Sequence, residues 1–184
     1  NGENRKKLSD TEGAIEGYKF SPDGKKVILL KSLDYHGTIK KNPSDLPLAT
    51  GRLVTDMNYR HWDHYVEQIS HAFVADVTEN GIANVVDILE GEPYECPLAP
   101  FGGIEQLDWS IDSKLVAYTC RKKEGVDYAI STDADIYIYN VETKHTRNLC
   151  KPEGYKEPKI DATKSMKNQA VNHQQGDMNV GYDV

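Results

Sequence analysis

Four residues near the middle of the chain carry the side chains best suited to chemistry. His61, Asp63 and His64 can bind metals or transfer protons, and Arg60 directly precedes them. On a β-strand, His61 and Asp63 would share one face, while His64 would point to the other. A metal site would need further ligands from other elements. The alternative is a polar loop or edge strand beside a packed Trp62.

Arg60 offers a different chemistry, because a planar guanidinium binds a carboxylate through two parallel hydrogen bonds. If the protein enclosed a central chamber and Arg60 faced it, Arg60 would bind the carboxylate of a peptide. The alternative is a structural ion pair with Asp56 or Asp63. We therefore take Arg60, His61 and Asp63 as candidate substrate-facing residues, and we expect no bound metal and no cofactor.

Two further groups of polar residues have an ordinary structural explanation. Glu90, Glu92 and Glu95 lie in a segment that also contains proline and glycine. Paired carboxylates there would suit a substrate amine, but such segments are usually exposed loops, so we expect a solvated connection. Tyr137 and Tyr139 share one face of a predicted strand, and we expect them to pack rather than to bind a ligand.

The chain carries no recognisable nucleophile. The G-x-S-x-G pattern, which presents a catalytic serine on a sharp turn, does not occur in the sequence. Cys96, Cys120 and Cys150 are widely spaced and form no C-x-x-C pair, which argues against a zinc ribbon. We expect them to be ordinary small residues in or beside strands, and we assign no catalytic residue.

The charge and hydropathy of the chain exclude two classes of partner. The net charge is −7, and an acidic surface is repelled by the phosphates of nucleic acids. No stretch approaches the roughly 18 consecutive apolar residues that a membrane helix needs. Instead, short apolar runs alternate with long polar stretches, which is typical of an all-β protein with large loops.

A strand–turn–strand unit occurs twice in the chain. The first copy reads Tyr-Lys-Phe-Ser-Pro-Asp-Gly-Lys from Tyr18, and the second reads Leu-Asp-Trp-Ser-Ile-Asp-Ser-Lys from Leu107. Proline presets the backbone of the turn, aspartate folds back onto it, and glycine accepts a left-handed conformation. Each copy is followed by two more strand patterns, and Asn80-Gly81 predicts a hairpin between the strands of one such pair.

Units of four antiparallel strands in series are the building blocks of a β-propeller. The two copies start 89 residues apart, about twice the usual length of a blade, so either a whole blade or a long insertion lies between them. Few apolar runs occur in residues 33–70, and we favour the insertion. The predicted division is a blade at 14–90 with an insertion at 34–70, a blade at 104–150, and a polar connection at 151–184 that leads into a next blade. Within that connection, residues 161–171 are compatible with a short helix or a loop.

Three segments of the chain resemble the prolyl oligopeptidase family of serine peptidases. The Ser-Pro-Asp-Gly unit is similar to the propeller repeat of that family, and also to the repeat of TolB-like proteins. Residues 59–76 resemble a segment of acylaminoacyl-peptidases and dipeptidyl-peptidases, through Arg60, Trp62, Asp63 and the His71-x-Phe-Val-x-Asp76 pattern. Residues 133–140 are similar to the third strand of a blade in the same group.

The resemblance implies a partial all-β propeller of about two four-stranded antiparallel blades. In this family, the propeller restricts the access of peptides to an α/β-hydrolase domain, which this sequence does not contain. We therefore expect the non-catalytic portion of a peptidase for short peptides, located in the periplasm or otherwise outside the cytoplasm. The alternative is a TolB-like propeller that binds proteins without catalysis. Because two blades leave open sheet flanks, we expect the isolated chain to self-associate.

Overall fold

The computed structural model describes residues 3, 5–9, 13–35, 38–39, 48, 53–54, 66–151 and 153–155. Within them the chain forms two four-stranded antiparallel sheets, one small two-stranded sheet and very little helix. The strands are β1 (Gly17–Phe20), β2 (Lys26–Asp34), β3 (Thr38–Ile39), β4 (Leu53–Val54), β5 (Gln68–Thr78), β6 (Gly81–Asp87), β7 (Leu107–Trp109), β8 (Leu115–Cys120), β9 (Asp135–Asn140) and β10 (His145–Asn148).

The first sheet has the strand order β1-β2-β5-β6, and the second has the order β7-β8-β9-β10. Each sheet is therefore a simple up-and-down meander, except that the β3–β4 pair is inserted between β2 and β5. The prediction of an all-β chain with two four-stranded antiparallel units is confirmed. β2 pairs directly with β5 over nine residue pairs, from Lys26 with Asp76 to Asp34 with Gln68.

Most strand predictions from the sequence are confirmed within a few residues. The exception is a short helix, α1 (Gly125–Ile130), which the sequence did not predict. The hairpin at Asn80-Gly81 is confirmed, although only Gly81 has a positive φ, of 129°. The possible helix at 161–171 lies outside the described residues.

The repeated motif forms the same turn in both sheets. In the first, Ser21 Oγ accepts the Lys26 N–H and donates to Asp23 Oδ1, at 2.9 and 2.7 Å. In the second, Ser110 Oγ accepts the Leu115 N–H at 2.9 Å and donates to Asp112 Oδ1 at 2.6 Å. The serine and aspartate that both copies of the motif share are thus the side chains that hold the turn closed.

The two sheets pack face to face around a shared hydrophobic core. The first sheet contributes Ile28, Leu30, Ala72 and Val74, and the second contributes Val116, Tyr118, Tyr137 and Tyr139. The expectation that Tyr137 and Tyr139 pack in the sheet is confirmed, since they are 7% and 4% exposed. The first strands of the two sheets are also linked directly, because Trp109 Nε1 donates to the Lys19 carbonyl at 3.0 Å.

A second, smaller core covers the opposite face of the first sheet. Val27, Leu29, Phe73 and Ala75 form it. Residues near the N-terminus contribute to its cover, because Ile15 packs against it and Leu8 accepts a hydrogen bond from the Ile82 N–H at 2.7 Å. The sheets thus bury three of their faces, and the fourth, on the outside of the second sheet, carries partly buried Ala117, Ile136 and Ile138.

Candidate functional site

The three candidate residues from the sequence, Arg60, His61 and Asp63, lie outside the described residues. The site therefore has to be sought among the polar side chains that the two sheets position. Within the described ranges, no group of three or more His, Cys, Asp or Glu side chains is arranged to hold a metal ion. The same ranges contain no helix that is long and apolar enough to cross a membrane.

A buried His–Asp pair connects β5 with β6. His71 Nδ1 lies 2.8 Å from Asp87 Oδ2, and the side chains are only 4% and 14% exposed. The other carboxylate oxygen of Asp87 accepts the Leu89 N–H at 2.8 Å. Because a carboxylate only accepts hydrogen bonds, Nδ1 must donate, and a neutral imidazole then has a lone pair on Nε2. No described residue bonds to that Nε2.

The His–Asp pair exists because β6 contains a bulge. Val74 pairs with Val86 and Asp76 pairs with Ala83, so two residues of β6 lie opposite the single residue Ala75. The extra residue reverses the alternation of side chains along β6. Asp87 therefore comes to lie on the same face of the sheet as His71. A strict alternation from Ile82, which is what the sequence indicates, would place Asp87 on the opposite face.

The pair forms part of the wall of a cavity of about 420 Å³. The described residues that line this cavity include apolar side chains, carboxylates and the imidazole of His71. The lining is Leu33, Asp34, Ile69, His71, Asp87, Gly91, Glu92 and Pro93. The ends of β2 and β6 and the start of β5 position these residues, together with the loop that follows β6.

That loop is packed rather than solvated, which corrects the expectation for its acids. Glu95 is only 3% exposed. Glu92 is half-buried and bonds to Lys122 Nζ, with 2.6 Å between Nζ and Oε2. Lys122 in turn lies 4.7 Å from the ring centre of Tyr137, a distance at which a cation is attracted by an aromatic face. Only Glu90 is exposed as expected.

A second ionic cluster closes the end of the second sheet. Lys151 Nζ lies 2.7 Å from Asp133 and 2.8 Å from Asp135. Burial opposes the charged form of Lys151, but the two carboxylates outweigh this effect and raise its pKa. Asp135 is 4% exposed, so breaking the cluster would leave a buried charge. These groups already bond to one another, which indicates a structural role.

The three cysteines have no disulfide partner within the chain. Cys96 and Cys120 are fully buried, and burial raises the pKa of each thiol above its usual value. A buried thiol with a raised pKa forms little thiolate and is a poor nucleophile. Cys120 ends β8, and the Cys96 N–H donates to Ser70 on β5 at 2.8 Å. The prediction of ordinary residues in or beside strands is confirmed for both.

No family model matches the chain, but several curated proteins do. Dipeptidyl-peptidase 5 from Porphyromonas gingivalis is 47% identical over 137 residues, which cover 74% of this chain and 20% of that protein. This chain is a homologue of dipeptidyl-peptidase 5. The protein of the same name from Porphyromonas endodontalis is 37% identical over 148 residues, covering 80% of this chain and 21% of the relative. Dipeptidyl-peptidase 5 from the fungus Arthroderma otae is 28% identical over 148 residues, with coverages of 75% and 20%.

The chain thus spans about a fifth of the length of the dipeptidyl-peptidase 5 relatives it matches. The names of these relatives indicate that the chain is related to peptidases. This bears out the dipeptidyl-peptidase part of the resemblance seen in the sequence.

Proposed function

We propose that this chain is the non-catalytic propeller portion of a serine dipeptidyl-peptidase of the prolyl oligopeptidase family. In this proposal, it gates the access of short peptides to a hydrolase domain that another part of the same polypeptide supplies. The similarity to dipeptidyl-peptidase 5 over 74% of the chain is the observation that carries the proposal. The absence of a G-x-S-x-G pattern from the 184 residues agrees with a non-catalytic role.

The way in which the two sheets stack supports a propeller. Val27 and Val116 occupy equivalent positions of the repeated motif. Val116 faces the core between the sheets, whereas Val27 lies on the opposite face of the first sheet. The second sheet therefore packs against the first sheet through one face, and the equivalent face of the first sheet is directed away from the second sheet. Units that stack front to back in this manner can continue as a series, which is how the blades of a propeller are arranged.

Two further parts of the proposal concern the compartment of the parent protein and the residues that face its substrate. We place the parent protein in the periplasm or otherwise outside the cytoplasm, as the resemblance to the prolyl oligopeptidase family implies. We also keep Arg60, His61 and Asp63 as the residues of this chain that face the peptide. Both statements extend the proposal beyond the described residues.

The test compares the 184-residue chain with the complete product of its gene. Both are treated with a fluorophosphonate probe, which labels activated serines, and with dipeptidyl substrates that release a fluorescent amine. We expect the complete protein to react with the probe and to release dipeptides, and the chain alone to do neither. A complete protein that contains only propeller repeats and no reactive serine would overturn the proposal in favour of a TolB-like binding module.

A substitution then tests the gating role. Arg60→Ala in the complete protein is expected to raise KM for peptide substrates by about tenfold, the value of one charge-assisted hydrogen bond. Labelling by the small fluorophosphonate probe should remain unchanged, because the serine itself is untouched. Lys144→Ala, an exposed cation in the turn before β10, serves as the control. An unchanged KM in the Arg60 variant would remove this residue from the substrate path.

A further inference from the structure

The outer face of the first sheet carries two exposed aromatic side chains at its β1 edge. Tyr18 is 63% exposed and Phe20 is 44% exposed, and their rings contact each other edge to face, with 5.8 Å between the ring centres. Together with Val27 and Leu29, they line a cavity of about 290 Å³ that has mainly apolar walls. Contiguous apolar surface that is rich in aromatic side chains is typical of a surface that binds another protein. We call this surface the docking face.

The repeated motif shows what the same positions do in the second sheet. Tyr18 and Phe20 of the first copy correspond to Leu107 and Trp109 of the second. Leu107 is fully buried and Trp109 is 9% exposed, because both pack in the core between the two sheets. The positions that are exposed on the docking face are therefore those through which the second sheet binds the first.

The outer face of the second sheet repeats the surface that receives the second sheet within the chain. Relative to the motif, Ile136 and Ile138 on β9 correspond to Ala72 and Val74 on β5. Ala72 and Val74 lie in the core between the sheets. Ile136 and Ile138 are only partly buried, and they form the centre of what we call the receiving surface.

The residue that follows β10 extends the receiving surface. The Leu149 N–H donates to the Ile136 carbonyl at 2.9 Å, and in the same way the Ile88 N–H donates to the Ala72 carbonyl at 3.0 Å. Ile88 is 6% exposed in the core between the sheets, whereas Leu149 is 48% exposed. A second sheet bound to the receiving surface would cover Leu149 as the second sheet of the chain covers Ile88.

The charges on the first strands of the two sheets are complementary. Lys19 and Asp108 occupy equivalent positions of the motif, and within the chain Lys19 Nζ lies 3.5 Å from Asp108 Oδ1. If a second copy repeated the contact between the sheets, its Lys19 would meet Asp108 of the first copy. The two side chains are 32% and 51% exposed. Opposite charges at equivalent positions favour the contact of a docking face with a receiving surface over the contact of two docking faces.

We propose that the docking face binds the receiving surface of a second copy of this chain, in a head-to-tail contact that repeats the packing of the two sheets. Because the two surfaces are different, each added copy presents a further surface of each kind, and the association ends when a ring closes. Each chain supplies two four-stranded sheets, and closed propellers contain roughly four to eight, so the ring holds about two to four copies. The inference concerns the 184-residue chain itself and does not depend on the proposed peptidase function.

Sedimentation velocity of the 184-residue chain, from micromolar to millimolar concentration, measures this association. We expect the monomer to be replaced by one discrete species of about two to four chains as the concentration rises. Phe20→Glu on the docking face and Leu149→Glu on the receiving surface each place a charge in an apolar contact, and each should weaken the association at least about tenfold. Ala129→Glu is the matched control, because Ala129 is exposed on α1, outside both surfaces. A chain that stays monomeric at every concentration would overturn the proposal.

A mixture of the two variants tests the head-to-tail arrangement. The Phe20→Glu variant keeps an intact receiving surface, and the Leu149→Glu variant keeps an intact docking face. Each variant alone should be monomeric, whereas the mixture should form a one-to-one complex that grows no further. This complex also shows that both variants are folded. A mixture without the complex, or variants that associate as well as the unmodified chain does, refutes the contact between these two surfaces.

Discussion

The first turns of the two sheets, residues 21–26 and 110–115, have the same hydrogen bonds but different sequences. The first has Pro22 and Gly24 at the two positions where the second has Ile111 and Ser113. Gly24 and Ser113 nevertheless adopt the same left-handed conformation, with φ of 70° and 62°. Proline and glycine therefore make this turn easier to form, but they are not what specifies it.

The second turn uses its serine for a contact that glycine cannot make. Ser113 Oγ accepts the backbone N–H of Asp23 at 3.1 Å, and Ser113 is only 7% exposed. The left-handed conformation costs about 1–2 kcal/mol for a residue with a Cβ atom. A hydrogen bond that joins the two turns offsets part of this cost. At Ser113, a hydrogen bond to the other sheet thus stabilises a backbone conformation that a non-glycine residue disfavours.

The largest expected difference between the two motifs concerns their aromatic residues. Trp109 is 9% exposed and donates to the Lys19 carbonyl, whereas Phe20 is 44% exposed. Trp109→Ala should lower the free energy of unfolding by about 3–5 kcal/mol, as expected for a large buried aromatic. Phe20→Ala should cost about 1 kcal/mol, because less apolar area is lost. Urea denaturation followed by circular dichroism measures both, and equal losses would contradict the difference in packing.

The shared serines should have similar effects in the two turns. Ser21→Ala and Ser110→Ala each remove a hydroxyl that accepts one hydrogen bond and donates another. Each change should lower the free energy of unfolding by about 1–2 kcal/mol. Ser9→Ala is the control, since Ser9 lies outside both turns. If only one of the two substitutions lowered the free energy of unfolding, the two turns would share their geometry but not their contribution to stability.

The left-handed positions should respond in different ways. Gly24→Ala should cost about 1 kcal/mol through the backbone alone, because an added Cβ meets no atom within 4 Å. Ser113→Gly relieves the same strain but loses the hydrogen bond to Asp23, so we expect a change of less than about 0.5 kcal/mol. The two chemical denaturation midpoints check this prediction. A strong stabilisation by Ser113→Gly would mean that the contact between the turns contributes nothing.

The smallest expected effect is the pH dependence that the two turns share. Hydrogen bonds from Ser21 and Ser110, and from the backbones of Lys25 and Lys114, lower the pKa of Asp23 and of Asp112 below 3.8. A lowered folded-state pKa stabilises the chain above the unfolded value, and this contribution is lost as pH falls through the folded pKa.

Thermal melts between pH 5 and pH 2 test this expectation. The melting temperature of the unmodified chain should decrease below about pH 4, and an Asp23→Asn, Asp112→Asn double variant should decrease less steeply over the same range. Glu90→Gln provides the control, as an exposed acid outside the turns. Parallel curves for the double variant and the unmodified chain would exclude the two turn aspartates as a source of acid sensitivity.

Much of the fold was readable from the sequence, because strand patterns and turn residues are local signals. The alternation of Tyr137 and Tyr139 indicated a buried strand face, and Asn80-Gly81 indicated a hairpin. The helix Gly125–Ile130 was missed because its six residues are too few to establish a helical period. The candidate site was not predicted, since the sequence drew attention to Arg60, His61 and Asp63 and gave no reason to pair His71 with Asp87.

The sequence by itself determined the repeated turns, the strands and the relation to dipeptidyl-peptidase 5, because each of these depends on residues that are close together or matched one by one. Only the tertiary structure decided which faces of the sheets meet, and only the bulge in β6 brought Asp87 to the side of His71. A bulge depends on how two strands fit against the rest of the sheet, and one extra residue moves every later side chain to the other face. The contact between His71 and Asp87 follows from that single shift.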